Sequence, residues 1–331
     1  MKSSPRDKSI KSKLIKKLKN NNDHLSGEIL SRELGVSRTA VWKCINELRS
    51  LGYQIESYPR RGYQLKYTPD LLIPEEISLN LNTRYCGRNI YHYTSLPSTN
   101  QLACELGRKS EPEGTLVVAE EQTAGRGRRG RNWFSPPGKG IWMSLLFYPH
   151  HLAPIQMAPF TAAAAAIIAG SLRRSTGIPV VVKWPNDLMV NHKKVGGILS
   201  EIQGDQEQIH FLVLGTGINV NQDPTQFPPD IQPIATSLSY EAKTSLQRVE
   251  ICRLLLEDLE EGYQQFLREG FVPFREKWIK HNSTLGRRVT LAIGNRRLEG
   301  WAQDLDEQGA LLLKDDTGDL HRLSYGELVD E

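Results

Sequence analysis

The sequence is poor in cysteine and has no long hydrophobic segment. Its 331 residues include four cysteines, which lie far apart and form no CxxC pair: Cys44, Cys86, Cys104 and Cys252. This pattern is typical of reduced structural thiols in a cytoplasmic protein. The Ala-rich stretch 161–170 is too short to span a bilayer, and the charged N-terminus lacks the apolar region of a secretory signal. We therefore expect a cytoplasmic protein without a membrane segment.

The sequence also lacks the Walker motif GxxxxGK[ST], so a nucleotide is not held as in P-loop enzymes. It does contain a run of four arginines and three glycines at 125–131, which we call the arginine loop. Its glycines formally match the dinucleotide motif GxGxxG, but that motif needs a helix after it. The following segment, 132–138, reads Asn-Trp-Phe-Ser-Pro-Pro-Gly and cannot begin a helix. We predict a mobile cationic loop that closes over an anionic ligand; a solvated basic loop is the alternative.

The charge is unevenly distributed along the chain. The net charge is +4 overall, yet residues 1–67 hold 15 Lys and Arg against 6 Asp and Glu, a net charge of +9. The remainder holds 27 against 32, a net charge of −5. A basic head on an acidic body indicates a nucleic-acid-binding module attached to a second function.

The hydrophobic pattern of the basic head predicts helices over 8–20, 25–35 and 39–51, with Ser37 as the N-cap of the third. Two alternating segments, 53–57 and 62–66, follow as a hairpin. This is the arrangement of a winged helix-turn-helix, in which the start of the recognition helix and the wing tip meet DNA. The residues expected to contact DNA are Arg38, Thr39, Trp42, Lys43, Arg60 and Arg61. The alternative is a helical scaffold that does not touch DNA.

The rest of the chain predicts two further domains. A linker begins at 68–70, segment 71–85 is ambiguous, and strands and helices alternate from residue 90 onward. Short strands separated by Gly and Asp turns occupy the chain from residue 285, which is typical of a small β-barrel. We expect domains at 1–67, 68–283 and 284–331.

Five motifs follow one another in the central part of the chain: Ser98-Thr99-Asn100, Gln122 with the arginine loop, Lys-Trp-Pro-Asn-Asp at 183–187, Lys194 within Lys-Lys-Val-Gly-Gly, and Gly-Thr-Gly-Ile-Asn at 215–219. Together they resemble the biotin–protein ligases, and the winged helix in front resembles the bifunctional form that is also the biotin operon repressor. The resemblance covers nearly the whole chain. It implies an α+β multidomain protein with a winged helix-turn-helix, a central mixed α/β catalytic domain of the biotin/lipoate ligase type, and a C-terminal SH3-like β-barrel.

The resemblance also implies a reaction. Such an enzyme joins the carboxylate of biotin to the α-phosphate of ATP, which releases pyrophosphate and forms biotinyl-5'-AMP. Biotin then passes to a lysine of the biotin carboxyl carrier protein domain of acetyl-CoA carboxylase. Mg²⁺ is expected with ATP, and no metal site made by the protein itself is expected. The adenylate is also expected to act as corepressor: its binding promotes a homodimer that binds double-stranded operator DNA.

The residue types fit this reaction, because bringing two anions together requires concentrated positive charge. The catalytic candidates are Lys194, Lys183, Arg128 and Asp187. The biotin-binding candidates, which include neutral donors and acceptors for the ureido ring, are Ser98, Thr99, Asn100, Gln122, Arg126, Gly127, Arg128, Lys194 and Gly215. The nucleotide-binding candidates are Arg126, Arg128, Arg131, Trp133, Asn186 and Asn219. Two alternatives stay open: the Ser98 segment is an N-cap, and Trp133 is a loop anchor in the core.

One departure from the family pattern concerns the C-terminus. Related bifunctional enzymes can carry a further basic residue in the last strand, whereas segment 325–331 is acidic here, which argues against a nucleotide contact from that domain. Two other functions remain as alternatives. Ligases and transferases that attach lipoate or octanoate share the catalytic fold. The transferases need a Cys nucleophile beside a Lys, and Cys104 and Cys252 are not in such a context. A biotin-sensing repressor without catalysis would not need the intact loop and both lysines.

Overall fold

The computed structural model describes residues 5–21, 23–205, 207–294 and 296–329. The outer ends of the first and third predicted domains, residues 1–4 and 330–331, lie outside the described residues. The chain forms two compact units, Met1–Leu81 and Asn82–Glu331.

The first unit is the predicted winged helix-turn-helix. Its elements are α1 (Pro5–Lys19), α2 (Gly27–Leu34), α3 (Arg38–Ser50), β1 (Gln54–Tyr58), β2 (Gly62–Tyr67) and the short helix α4 (Pro74–Ile77). Ser37 caps α3 as expected, since its hydroxyl accepts from the backbone N–H of Ala40 at 3.1 Å. The turn before α3 uses Gly35 in the left-handed region, at φ 66°. β1 and β2 pair antiparallel as the wing hairpin.

Helix α4 resolves part of the ambiguous segment 71–85, because it packs on the winged helix. Glu76 on α4 is only 1% exposed. Its carboxylate accepts from the Tyr53 hydroxyl at 2.5 Å and lies 2.6 Å from the Lys19 ammonium. Burial, with the Glu76 hydrogen bond, raises the pKa of Tyr53 well above its ordinary value. The Glu76 carboxylate thus connects α4 to Lys19, the last residue of α1, and to Tyr53, the residue before β1.

We expect Glu76→Ala to lower the free energy of unfolding of the first unit by about 2 kcal/mol. Tyr53 would lose its acceptor inside the core, whereas the partly exposed Lys19 can turn toward water. Urea unfolding of the full chain, followed by far-UV circular dichroism, measures the change. Glu28→Ala, at an exposed carboxylate of α2, is the control; an equal loss in both variants would contradict the role of Glu76.

The second unit is built on a seven-stranded sheet in the order β3-β4-β5-β9-β8-β7-β6. The strands are β3 (Ile90–Tyr93), β4 (Leu116–Ala119), β5 (Gly140–Phe147), β6 (Val181–Lys183), β7 (Asp187–Val190), β8 (Lys193–Gly204) and β9 (Ile209–Asn219). β3 and β4 are parallel, and the other neighbouring pairs are antiparallel. β5 is buried along its whole length, which explains why its sequence is apolar on both faces, apart from Ser144, rather than alternating.

Helices cover the sheet on both faces. They are α5 (Thr99–Arg108), α6 (Pro154–Met157), α7 (Phe160–Thr176), α8 (Leu238–Ala242), α9 (Arg248–Glu269) and α10 (Val272–Lys280). On one face, Phe147 of β5 stacks on Tyr263 of α9 at 4.2 Å between ring centroids. On the other face, α5 approaches β9 so closely that a Cβ on Gly107 would lie 2.7 Å from the Phe211 ring. At the other end of α5, Asn100 accepts from Ser144 of β5 at 2.6 Å, so the first turn of the helix lies beside the middle of the sheet.

The segment Pro154–Thr176 is long and apolar enough to cross a membrane by composition, with a mean hydropathy of 1.5. However, 61% of its apolar window is buried within the protein, where α7 packs on α9 and β8. A buried core helix passes the same test, so this helix is part of the core.

The C-terminal part of this unit is a five-stranded antiparallel sheet in the order β13-β12-β11-β10-β14. Its strands are β10 (Arg288–Ile293), β11 (Arg296–Leu305), β12 (Leu311–Lys314), β13 (Leu320–Leu323) and β14 (Glu327–Val329). Leu291, Leu305 and Leu311 are fully buried between them. Arg275 of α10 donates to the carbonyl of Leu305 at 2.6 Å and so fastens this sheet to the helices. The predicted fold class is confirmed in all three parts.

Candidate active site

A cavity of about 510 Å³ opens between the arginine loop, strands β7 to β9 and the start of β14. Every ligand or catalytic residue predicted for the central domain lines it: Ser98, Thr99, Asn100, Gln122, Arg126, Gly127, Arg128, Arg131, Trp133, Lys183, Asn186, Asp187, Lys194, Gly215 and Asn219. These residues come from distant parts of the chain, and their order in the sequence does not by itself imply that they line one cavity. Their individual roles stay predictions.

One end of the cavity is neutral and internally hydrogen-bonded. Gln122 Oε1 accepts from the backbone N–H of Thr99 at 2.8 Å and from its hydroxyl at 3.1 Å. Ser144, fully buried on β5, donates to Asn100 Oδ1 at 2.6 Å, and Asn100 Nδ2 donates to Glu201 at 2.6 Å. These bonds fix the side chains before any ligand arrives, so this end is a rigid recognition surface.

The N-cap interpretation of Ser98 is also correct. Its hydroxyl accepts from the backbone N–H of Gln101 at 3.4 Å, at the start of α5. Ser98 therefore both caps the helix and lines the cavity. Sequence reasoning missed Ser144 and Glu201, because neither lies in a recognisable motif and both reach Asn100 only through strand pairing.

Glycines form the part of the floor that lies under Asn100 and Trp133. A Cβ on Gly215 would lie 2.0 Å from Asn100 Oδ1, and one on Gly217 would lie 2.5 Å from Trp133 Nε1. Side chains at these two positions would expel the residues above them. The Trp133 ring also packs edge-on against Trp142, with centroids 6.5 Å apart. Trp133 thus lines the cavity and also anchors the loop. The loop-anchor interpretation is therefore compatible with a role in ligand binding.

The opposite end of the cavity is cationic. Lys194 Nζ lies 2.6 Å from Asp187 Oδ1 and 5.4 Å from the centre of the Trp133 ring. Arg128 donates to Asn186 Oδ1 at 3.1 Å. Burial lowers the pKa of Arg128, and Asp187 opposes this shift, although a guanidinium remains charged throughout the physiological range. Partly desolvated charges of this kind interact more strongly with an anion than charges in water do.

The two asparagines are held by backbone carbonyls. Asn186 Nδ2 donates to Ile198 O at 2.7 Å, and Asn219 Nδ2 donates to Thr236 O at 3.0 Å. Asn219 Oδ1 is buried and has no hydrogen-bond partner within the described part of the chain. A ligand with an N–H group that reaches Asn219 would satisfy this acceptor.

The C-terminal sheet contributes an acidic residue that sequence reasoning did not single out. Glu327, at the start of β14, lines the cavity and contacts two arginines of the loop. Its carboxylate pairs with Arg131 and lies 3.5 Å from Arg129, a residue with φ 56°. An acidic side chain does not bind a polyphosphate directly, but it positions the arginines that can. The acidic composition of segment 325–331 was the available signal, and its relation to the loop could not be read from sequence.

The six predicted DNA-contacting residues lie in the first unit and are all exposed. Arg38, Thr39, Trp42 and Lys43 begin α3, and Arg60 and Arg61 form the hairpin turn. Trp42 is 56% exposed, so its ring is accessible to a partner. No group of three or more His, Cys, Asp or Glu side chains within residues 5–329, apart from the three undescribed positions, is arranged to hold a metal ion.

Comparison with known proteins supports the same three parts. Residues 11–64 match an HTH domain, 93–219 match the biotin/lipoate A/B protein ligase family, and 284–329 match the biotin protein ligase C terminal domain. The chain is similar to the bifunctional ligase/repressor BirA of Bacillus subtilis, with 40% identity over 90% of this chain and 91% of that relative. It is 34% identical to BirA of Escherichia coli over 94% of each chain.

A solved structure is also similar. The biotin protein ligase from Aquifex aeolicus in complex with biotin and ATP matches with a TM-score of 0.63 and 30% identity, over 73% of this chain and 98% of that one. The domains occur in the predicted order and the similarity extends along nearly the whole chain. The protein therefore belongs to the family of bifunctional biotin ligase/repressors, with a catalytic domain of the biotin/lipoate A/B protein ligase family.

Proposed function

We propose that this chain is an ATP-dependent biotin–protein ligase that also acts as a biotin-responsive repressor of biotin genes. One observation carries the proposal: a single cavity has a rigid neutral end at Asn100 and Gln122 and a cationic end at Lys194 and Arg128. A molecule with a neutral ureido ring and a carboxylate tail matches that polarity when its tail points to the cations.

In the first half-reaction, a carboxylate oxygen of biotin attacks the α-phosphorus of ATP and pyrophosphate leaves. We assign Lys194 to the carboxyl oxygens and Arg126, Arg128 and Arg131 to the phosphates, because guanidinium forks suit phosphate and a lysine suits a compact charge. Asn219 and Trp133 are assigned to the nucleoside, where the unpaired Asn219 oxygen can accept an N–H. Mg²⁺ enters as part of the ATP substrate, held mainly by its phosphates.

In the second half-reaction, the amine of a carrier lysine attacks the acyl carbon and AMP leaves. The amine must lose a proton, and Asp187 is the carboxylate nearest to Lys194 at 2.6 Å. We assign Asp187 to holding Lys194 in place and to meeting the attacking amine, and Lys183, which lines the same cavity, to the departing phosphate. The carrier is the biotin carboxyl carrier protein domain of acetyl-CoA carboxylase, and the reaction takes place in the cytoplasm.

The hydrogen-bonded cluster at the neutral end favours biotin over lipoate or octanoate. A fatty-acyl or dithiolane chain has no donors or acceptors and gains no hydrogen bond from Asn100, Thr99 and Gln122, whereas a ureido ring can use their remaining donor and acceptor sites. The test is incubation with ATP, a carrier domain and biotin, lipoate or octanoate in turn. A carrier mass increase equal to one biotinyl group supports the proposal. Modification by lipoate or octanoate instead would favour the related ligases, and none at all would favour a sensor without catalysis.

Lys194→Ala should slow adenylate formation by about 10²–10³-fold, because it removes one charge that acts on the reacting oxygens. Pyrophosphate release in single-turnover conditions measures this step. Lys193→Ala removes the neighbouring lysine, which does not line the cavity, and serves as the matched control. A loss below about tenfold for Lys194→Ala would transfer the central role to Lys183 or the arginines.

Arg128→Gly should still form adenylate but retain it poorly. The arginine loop has three glycines in seven residues, and Arg128 ties it to Asn186, so losing that contact opens the cavity to water and releases biotinyl-AMP. The variant should biotinylate bystander proteins added to the reaction. Filter binding measures the retained adenylate. Retention equal to that of the wild type would contradict this role for the loop.

Ligand binding should promote a homodimer that binds operator DNA. A dimer reads two half-sites at once, so any ligand that favours the dimer tightens operator binding. The coupling free energy between two such sites is commonly about 1–3 kcal/mol, which corresponds to a severalfold to hundredfold gain in affinity. Sedimentation at several protein concentrations, with and without biotin and ATP, measures the link. Tighter DNA binding with an unchanged monomer–dimer equilibrium would exclude dimerisation as the cause.

A further inference from the structure

Arg49 connects the recognition helix to the wing. It lies in the last turn of α3, is half-buried, and was not among the predicted DNA contacts. Its Nε and Nη2 donate to the carbonyl of Ile55 at 2.9 and 2.6 Å, and Nη2 also donates to the Ser57 hydroxyl at 2.7 Å. Nη1 donates to Asn46 Oδ1 on its own helix at 3.2 Å. Four of the five N–H groups of the guanidinium are thus used within the protein.

The contact falls where the wing hairpin is irregular. Gln54 pairs with Tyr67 whereas Ile55 pairs with Leu65, so Lys66 is an extra residue in β2. Such a bulge bends the hairpin and leaves its direction dependent on nearby contacts. Arg49 binds the first strand at this position, whereas two backbone hydrogen bonds of 2.8 Å hold Tyr63 of the second strand to Leu25. Arg49 therefore links the wing directly to α3 and helps to fix the angle between them.

Small rotations at this position become large movements at the wing tip. Arg60 lies five residues beyond Ile55, a distance of roughly 17 Å along an extended strand. A rotation of roughly 10° about Ile55 would move the tip by about 3 Å, which is enough to break a hydrogen bond to a phosphate. The wing arginines and the start of α3 can contact one duplex together only if this angle is held.

We infer that Arg49 is a positioning residue for DNA recognition: it holds the wing so that Arg60 and Arg61 reach the DNA backbone while α3 meets the bases. The inference rests on the proposed DNA-binding function. Arg49→Lys keeps the charge but replaces the planar fork by one ammonium on a shorter side chain, which cannot reproduce the three hydrogen bonds to Ile55 and Ser57 together. Arg32→Lys makes the same replacement at an exposed position of α2 and is the matched control.

The test uses the full chain with a duplex that the wild type selects from random-sequence DNA, titrated with salt. In the wild-type background, Arg60→Ala should lower the log–log salt slope by about 0.9, the value of one phosphate contact. Arg49→Lys should lower it by up to about 1.8, since both wing arginines lose their phosphates. In the Arg49→Lys background, Arg60→Ala should have no further effect. A loss of about 0.9 in both backgrounds would overturn the inference, because the wing would then still reach the DNA.

A second readout does not depend on DNA. In the free chain, the amides of the hairpin at 54–67 should exchange about 10- to 100-fold faster in Arg49→Lys than in Arg32→Lys, because the bonds from a charged donor are lost. If the wild type selects no duplex, the proposed repressor function fails, and hydrogen exchange alone decides about Arg49. Unchanged exchange would overturn the inference, and faster exchange confined to the hairpin would support it.

Discussion

The site depends on holding several cations close together before a substrate neutralises them. Two unit charges about 4 Å apart interact with about 4 kcal/mol in the partly polar interior of a protein, so unpaired cations would push the loop away from the cavity. The structure balances them with Asp187 on Lys194, Asn186 on Arg128 and Glu327 on two loop arginines. Asp187 begins β7, Asn186 directly precedes it and Glu327 begins β14, so the cationic end exists only when the sheet and the C-terminal domain are both folded.

The neutral end places an opposite demand on the same cavity. Thr99, Asn100 and Gln122 are proposed to recognise a ring by hydrogen bonds, and such groups are effective only if they are already oriented. Their orientation comes from Ser144 beneath Asn100 and from a glycine floor that no side chain could occupy. In the proposed reaction, the rigid neutral end selects the acid, and the glycine-containing arginine loop closes over it when it becomes an anhydride.

Much of the molecule could be predicted from local sequence signals. Ser37 as an N-cap, the alternation in the wing and the absence of a helix in segment 132–138 after the arginine loop are all encoded within a few residues, and the structure agrees with them. Glu327, Ser144, Glu201 and the anchoring of α4 by Glu76 were not predicted. Each acts on residues far away in the chain, and the pairing of distant strands or helices leaves no periodic pattern in the sequence.

In the first unit, too, some of the structure could not be predicted from the sequence. The charge of the head and the spacing of its helices indicated DNA binding, and the surface residues could be named from their positions at the start of α3 and at the wing tip. The angle between these two surfaces depends on the Arg49 guanidinium, on a bulge and on the backbone hydrogen bonds between Leu25 and Tyr63. The sequence identifies the exposed residues that are expected to contact DNA, whereas their relative positions are set by buried and half-buried polar contacts.

The central claim is that the cavity joins the carboxylate of biotin to the α-phosphate of ATP. Isotope transfer tests it most directly: biotin labelled with heavy oxygen in its carboxylate is turned over with ATP and the carrier domain, and the AMP released is analysed by mass spectrometry. The account predicts one heavy oxygen in each AMP, because the oxygen that bonds to phosphorus leaves with it. AMP without the label, formed while the carrier becomes biotinylated, would contradict the account.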